Sequence, residues 1–234
     1  MRKIFIVLFL YYFSFNLYAE TISVSVKNTI INVHFNKEVS TLDKRYTYKT
    51  KAYIPKKYKS EFILILKKEL SKYDTKQLLI FGPREIYVCD AIIDAKTSYA
   101  GMNLGDNEIA VKLSISPSFG EVIHHEIAHE ILRKYNPHYS KNWTYTLLNE
   151  LEKINSDTLN TVNKVFFQCH KDGYVSDYAR THLHEEFCEM FGLFFSGDMY
   201  ATEFIINNPE SKLSKKFYVF RSAIKNNLNL DIST

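Results

Sequence analysis

His125-Glu126-Ile127-Ala128-His129 puts two imidazoles and a carboxylate within five residues. On a helix, residues four apart lie on one face, one turn above the other. His125 and His129 can then present both rings to one Zn²⁺, with Glu126 beside them as a general base for metal-assisted hydrolysis. The pattern fixes only three residues. Roughly one or two random chains in a hundred with this length and His and Glu content would contain it, so its context has to carry the rest.

The flanks predict a helix. Ser118 is a candidate N-cap, with Glu121 three residues on as the partner of a capping box. Val122, Ile127, Ile131 and Tyr135 supply apolar side chains, no Pro or Gly interrupts Glu121 to Tyr135, and Asn136-Pro137 stops the run. The competing reading is a partly exposed helix on which His124, His125 and His129 are solvated or hydrogen-bonded. The apolar character of the helix argues for burial instead. A buried His-Glu-His cluster needs a partner, and a metal supplies one.

Catalytic zinc uses three protein ligands and keeps its fourth position open. The third is expected in a second region, from Gly173-Tyr174-Val175-Ser176-Asp177-Tyr178-Ala179 to His184-Glu185-Glu186-Phe187-Cys188-Glu189-Met190-Phe191. Thr181 is a candidate cap for a helix running to about Phe195, with Leu183, Phe187, Phe191 and Phe194 toward the core. Glu185 and Glu189 are four apart and share another face. One carboxylate can be a ligand, and the other can accept an N–H from a ligating imidazole, fixing its tautomer. The plainer alternative is two solvated glutamates on an amphipathic helix. His184 and Glu186 are rival ligands that helical geometry turns away from Glu189.

Tyr178-Ala179, five residues, Glu185-Glu186-Phe187, one residue, Glu189 resembles the second active-site motif of gluzincins related to anthrax lethal factor. It is also similar to the motif of the small secreted Pro-Pro endopeptidases and of a broad set of bacterial zinc-binding metallopeptidases. In that last set the pattern reads approximately Gly-aromatic-x-Ser-x-Tyr-Ala, then Glu-Asp-Phe-Ala-Glu. The resemblance covers about Ser118 to Phe195. It implies His125, His129 and Glu185 as ligands of one Zn²⁺ per chain, Glu126 as general base, Tyr178 as donor to the tetrahedral oxyanion, and Glu189 as the carboxylate behind a ligand. Glu186 and Cys188 stand where the family usually has Asp and Ala, at positions that should not touch the metal.

Met1-Arg2-Lys3, the apolar run Ile4 to Phe15 and Leu17-Tyr18-Ala19 read as an export signal over residues 1–19, cleaved after Ala19. A retained anchor is the alternative, but the run is short for a span. An exported protein, periplasmic or secreted, without stable membrane insertion is expected. The formal charge is +4. It falls by two when Arg2 and Lys3 leave, which gives no case for nucleic acid. Lys56-Lys57 and Lys215-Lys216 read as solvated surface. The three cysteines, Cys89, Cys169 and Cys188, cannot build a disulfide framework. One bridge, Cys89–Cys169, is the preferred pairing, and Cys188 reads as a small core hydrophobe.

Along the chain, Glu20 to Phe35 reads as one or two strands and Tyr46 to Tyr53 as a strand or loop. A helix is expected at Lys56 to Lys72, strands at Leu78 to Phe81 and Ile86 to Cys89, and a loop at Gly101 to Asn107. Glu108 to Leu113 reads as a strand just before the active-site helix. The resemblance implies an edge strand lining the cleft, on which an extended peptide could pair, and plain core-facing alternation of Ile109, Val111 and Leu113 is the alternative. Helices are expected at Ser140 to Asn155, Thr158 to Phe167 and Glu210 to Asn226, with Gly192 allowing close helix contact and Gly197 ending its helix. The fold expected is α+β and zincin-like. It is a single domain over residues 20–234, with a mixed lobe at 20–117, a mainly helical lobe at 118–234, and the zinc cleft between them.

The function expected is metalloendopeptidase action on a peptide or protein. Glu126 would take a proton and pass it to the leaving amine, and the Tyr178 phenol would donate to the developing oxyanion. The rivals are a zinc amidase acting on cell-wall peptides and a non-catalytic zinc-stabilised binding protein. A purely structural site needs neither base nor oxyanion donor, which favours the peptidase.

Overall fold

The computed structural model describes residues 20–35, 46–49, 54–94, 97–114, 119–156, 169–170, 172–197 and 199–232. The leader, Ser118 and the helix expected at Thr158 to Phe167 lie outside them. The fold is α+β, with a mixed β-sheet lobe first and a mainly helical lobe after it, as the sequence predicts. The chain forms two compact units. One comprises Met1–Ser71 and Pro83–Ser116, the other Lys72–Gly82 and Pro117–Thr234.

In the first unit, β1 (Glu20–Val26) and β2 (Thr29–Phe35) form a hairpin. Its two turn residues, Lys27 and Asn28, both have positive φ, as a primed two-residue turn requires. They are followed by β3 (Tyr46–Lys49), α1 (Lys56–Leu70), β4 (Glu85–Cys89), β5 (Ala91–Asp94), β6 (Thr97–Tyr99), β7 (Gly101–Gly105) and β8 (Glu108–Lys112). One sheet runs β1-β2-β4-β8-β7 and a second β3-β5-β6.

Two expectations change here. The Gly101–Gly105 segment is a strand, not a loop: its glycines carry little β preference, and pairing with β8 supplies what the local sequence lacks. That pairing also makes β8 internal, between β4 and β7, so the strand expected at an edge has both neighbours filled.

In the second unit, α2 (Thr75–Phe81) replaces the strand expected from Leu78 to Phe81. Asp74 and Gln77 close a reciprocal capping box, the Gln77 N–H donating to Asp74 Oδ1 at 2.7 Å and the Asp74 N–H to Gln77 Oε1 at 2.6 Å. Then come α3 (Phe119–Lys134), α4 (Trp143–Ser156), a 3₁₀ turn (Tyr178–Arg180), α5 (Leu183–Ser196), α6 (Met199–Asn207) and α7 (Lys212–Leu228). Tyr73 ties the α2 segment to α3 through its hydroxyl, 2.7 Å from His124 Nδ1, and Gln77 Nε2 donates to the Leu228 carbonyl at 2.8 Å. Phe187, Phe191, Phe194, Phe217 and Phe220 fill the core of this unit, Phe194 and Phe217 meeting edge to face at 4.6 Å.

Candidate metal centre

The site is built on the packing of α3 against α5. Gly192 lets them close: a Cβ there would stand 2.8 Å from the Glu121 carbonyl oxygen and 3.4 Å from the His125 Cβ. The obstacle is backbone, so the helices would have to separate. Gly192→Ala is therefore expected to destabilise the protein by about 1–3 kcal/mol. It should also weaken metal binding, because His125 on one helix would move away from Glu185 and Glu189 on the other. Urea unfolding with a zinc competition assay checks both effects, and unchanged zinc affinity would show that the spacing is not critical. Gly197 ends α5 in the left-handed conformation, φ 89°, as expected. The cap at its start is His182, whose ring accepts the His184 N–H at 3.1 Å. Thr181, the expected cap, instead donates its hydroxyl to the Tyr178 carbonyl at 2.7 Å.

His125 Nε2 and His129 Nε2 are 3.1 Å apart. Glu185 Oε2 lies 3.4 Å from the first and 3.6 Å from the second. A tetrahedron with zinc–ligand bonds of ~2.0–2.1 Å has edges of about 3.3–3.4 Å, so the three donors stand at the spacing of one coordination shell. Glu185 Oε2 is buried and makes no hydrogen bond among the described residues, which leaves it available to a cation. On its far side, His125 Nδ1 is 2.8 Å from Glu189 Oε1, although the N–H direction is off-axis. Burial disfavours charge on His125, but Glu185 and Glu189 outweigh it and push the ring up to about 10. Burial, with His125 beside it, takes His129 down to about 4. Burial raises the Glu185 carboxyl, and the two histidines more than reverse that, leaving it low.

A fourth group was not foreseen as part of the site. Cys188 is fully buried, and His125, His129 and Cys188 form a group able to hold a metal, with all three donor atoms within 4.8 Å of one another. The sequence carried a signal for this: Cys188 is three residues after Glu185, on the same face one turn along. Burial holds its thiol well above the ordinary range. Glu126 is also buried on α3.

Tyr178 is 44 % exposed, on the 3₁₀ turn, with its ring centroid 6.1 Å from that of His125. Arg180 pairs with Asp172 and Asp177 across this segment. Ser176 donates to Glu189 Oε2 at 2.6 Å and accepts the Ala179 N–H at 3.0 Å. Behind the segment, the Lys216 ammonium pairs with Glu186, donates to the Gly173 carbonyl at 2.7 Å and sits 4.0 Å over the Tyr174 ring. Glu186 also accepts from Asn155 Nδ2 at 2.9 Å. Lys216 is thus wholly buried, not solvated as its run of two lysines suggests, while Lys215 is exposed. Burial lowers its ammonium and Glu186 opposes the fall.

The two rival ligands are occupied elsewhere. Glu186 belongs to that buried pair, and His184 packs against His182 and His138 at 4.8 and 5.7 Å between ring centroids. The third histidine of the motif region, His124, is buried on Tyr73. The disulfide expectation is corrected, since Cys89 and Cys169 are both free thiols. Cys89 is enclosed by Tyr87, Ile92 and Ala110, and burial pushes its thiol up to about 12.

A family profile described as "Putative zinc-binding metallo-peptidase" matches residues 91–233. The fold is similar to a crystal structure from Bacteroides caccae, titled "a putative zinc-binding metallo-peptidase", at 15 % identity and a TM-score of 0.49, covering 74 % of this chain and 73 % of that one. None of the curated proteins matches the chain. The profile spans more than half of the sequence, including both motif regions and the whole α3–α5 pair, and the chain belongs to that zinc-binding metallo-peptidase family.

Proposed function

We propose that the protein is a zinc-dependent metalloendopeptidase of the gluzincin type, exported to the periplasm or beyond, that hydrolyses peptide bonds in a peptide or protein substrate. The observation that carries the reading is the convergence of His125 Nε2, His129 Nε2 and Glu185 Oε2 at 3.1–3.6 Å, with Glu189 behind His125. These three would hold one Zn²⁺. Zinc bound there lowers the pKa of a water to about 7 and polarises a carbonyl. Glu126, next to His125 in sequence, would receive the water proton and return it to the leaving amine. Tyr178 would direct its phenol at the oxygen where negative charge develops. Glu189 would keep the His125 ring oriented and basic. No helix among the described residues is long and apolar enough to cross a membrane. The leader would span residues 1–19 and the mature domain 20–234.

Cys188 supports a second reading, in which zinc is held by His125, His129 and Cys188 as a structural site without catalysis. The approach of Glu185 Oε2 to both histidine nitrogens, at 3.4 and 3.6 Å, favours the hydrolytic one.

The test is cleavage profiling with an unbiased peptide library, followed by chelation and zinc restoration. Cleavage that survives complete metal removal would contradict the reading. On a peptide so found, Tyr178→Phe is expected to lower kcat by roughly 10–10³-fold with little change in zinc affinity, since the phenol acts mainly in the transition state. Equal kcat at matched zinc occupancy, for a substrate whose chemical step limits turnover, would remove Tyr178 from the catalytic set.

A further inference from the structure

We propose that Ser176 is a positioning residue that couples occupancy of the metal site to placement of Tyr178. The inference rests on the zinc reading above. Its basis is a closed circuit of contacts. His125 Nδ1 faces Glu189 Oε1 at 2.8 Å, and the other oxygen of that carboxylate accepts from the Ser176 hydroxyl at 2.6 Å. The same hydroxyl oxygen accepts the Ala179 N–H at 3.0 Å. Ala179 follows Tyr178 in the 3₁₀ turn, and the Tyr178 ring lies beside His125, 6.1 Å between centroids.

Each side chain in the circuit spends its capacity in a defined way. A hydroxyl has one proton and two lone pairs, so Ser176 can donate to Glu189 and accept from Ala179 at once. A carboxylate has two oxygens, so Glu189 can serve His125 with one and Ser176 with the other. Fixing the His125 ring would hold Glu189 through the 2.8 Å approach of Nδ1 to Oε1, a charge contact and not an aligned hydrogen bond. Fixing Glu189 fixes the hydroxyl, and the hydroxyl fixes the backbone N–H one residue past Tyr178. Ser176 is the side chain of the Tyr178 segment that bonds to Glu189. Its removal would leave the Ala179 N–H and one Glu189 oxygen without the partners seen here, while leaving the three metal-holding donors in place.

The experiment is amide hydrogen exchange on the full mature protein, metal-free and with added ZnCl₂, read over Asp177 to Thr181 and over α5, with zinc affinity measured separately by chelator competition. In the parent, zinc should slow exchange across both segments. In Ser176→Ala, zinc should still bind, with affinity lowered by no more than about 10-fold, and should still protect α5, but the protection over Asp177 to Thr181 should be lost. Ser176→Thr, which keeps a hydroxyl, should restore it, an outcome that a merely space-filling role does not predict. Ser176→Cys, of similar size with a feeble donor, replaces the alanine variant if that one does not fold, and should also lose the protection. Equal zinc-dependent protection of the Tyr178 turn in the parent and in a folded Ala or Cys variant would overturn the coupling while leaving the zinc site intact. Failure of the parent to bind zinc would instead overturn the metal reading, and the coupling with it.

Discussion

Glu126→Gln should give a folded protein that holds zinc as the parent does and hydrolyses peptide at least ~10²-fold more slowly. The amide is nearly isosteric with the carboxylate, so the packing of α3 around this buried side chain is kept. What is lost is the capacity to take a proton from water and deliver it to the leaving nitrogen. His125 and His129 are untouched, so metal content is expected to stay at the parent's level. The measurement is kcat on a library-selected peptide at matched zinc occupancy. Near-parental turnover by a zinc-loaded Glu126→Gln protein would assign the proton transfer to another group and remove the mechanism.

Lys216→Met should cost about 3–5 kcal/mol of stability, a large share of what a domain of this size has. The loss comes less from the attraction that disappears than from what stays behind. Glu186 is buried, and without the ammonium its charge keeps only the Asn155 amide among the partners seen here. The Gly173 carbonyl also loses its donor. Adding Glu186→Gln should return much of the loss, because the stranded charge is then gone. Urea unfolding of parent, single and double variants checks this. A single variant as stable as the parent, or a double variant no better than the single, would contradict the account of that pair. The double variant also bears on Glu185, since Glu186 is its neighbour on α5 and Gly173 opens the segment that carries Tyr178.

The parts of the fold legible in the sequence were those encoded locally. Helix α3 shows in its apolar spacing and the stop at Asn136-Pro137, and the β1–β2 hairpin in its alternation. Gly192 and Gly197 announce a close approach and a helix end, and both occur. Helix α2 was legible too, in the Asp74–Gln77 capping box, but the run Leu78-Leu79-Ile80-Phe81 outweighs it when apolar runs are read as strands. Leu79, 53 % exposed, shows that the run is not buried throughout.

The features that could not be read were those created by distant partners. Strand β7 exists because β8 pairs with it, and the same pairing moves β8 from the edge to the interior. Lys216 looks like half of a solvated pair until Glu186, thirty residues earlier, is placed against it. Cys188 enters the metal cluster only when α5 lies on α3, although its offset from Glu185 already places both on one face. The candidate site followed the same rule. HExxH and the Tyr178–Glu189 spacing are local patterns and were visible, whereas the link from Ser176 to Glu189 depends on how a turn folds back over a helix.

The central claim, a single zinc held by His125, His129 and Glu185, is tested most directly by elemental analysis with zinc K-edge X-ray absorption on protein purified in zinc-replete buffer. The account predicts one zinc per chain and an inner shell of nitrogen and oxygen at ~2.0–2.1 Å. It is contradicted if no zinc is retained, or if a sulfur scatterer appears at ~2.3 Å and vanishes in Cys188→Ala, because the ligand set would then include Cys188.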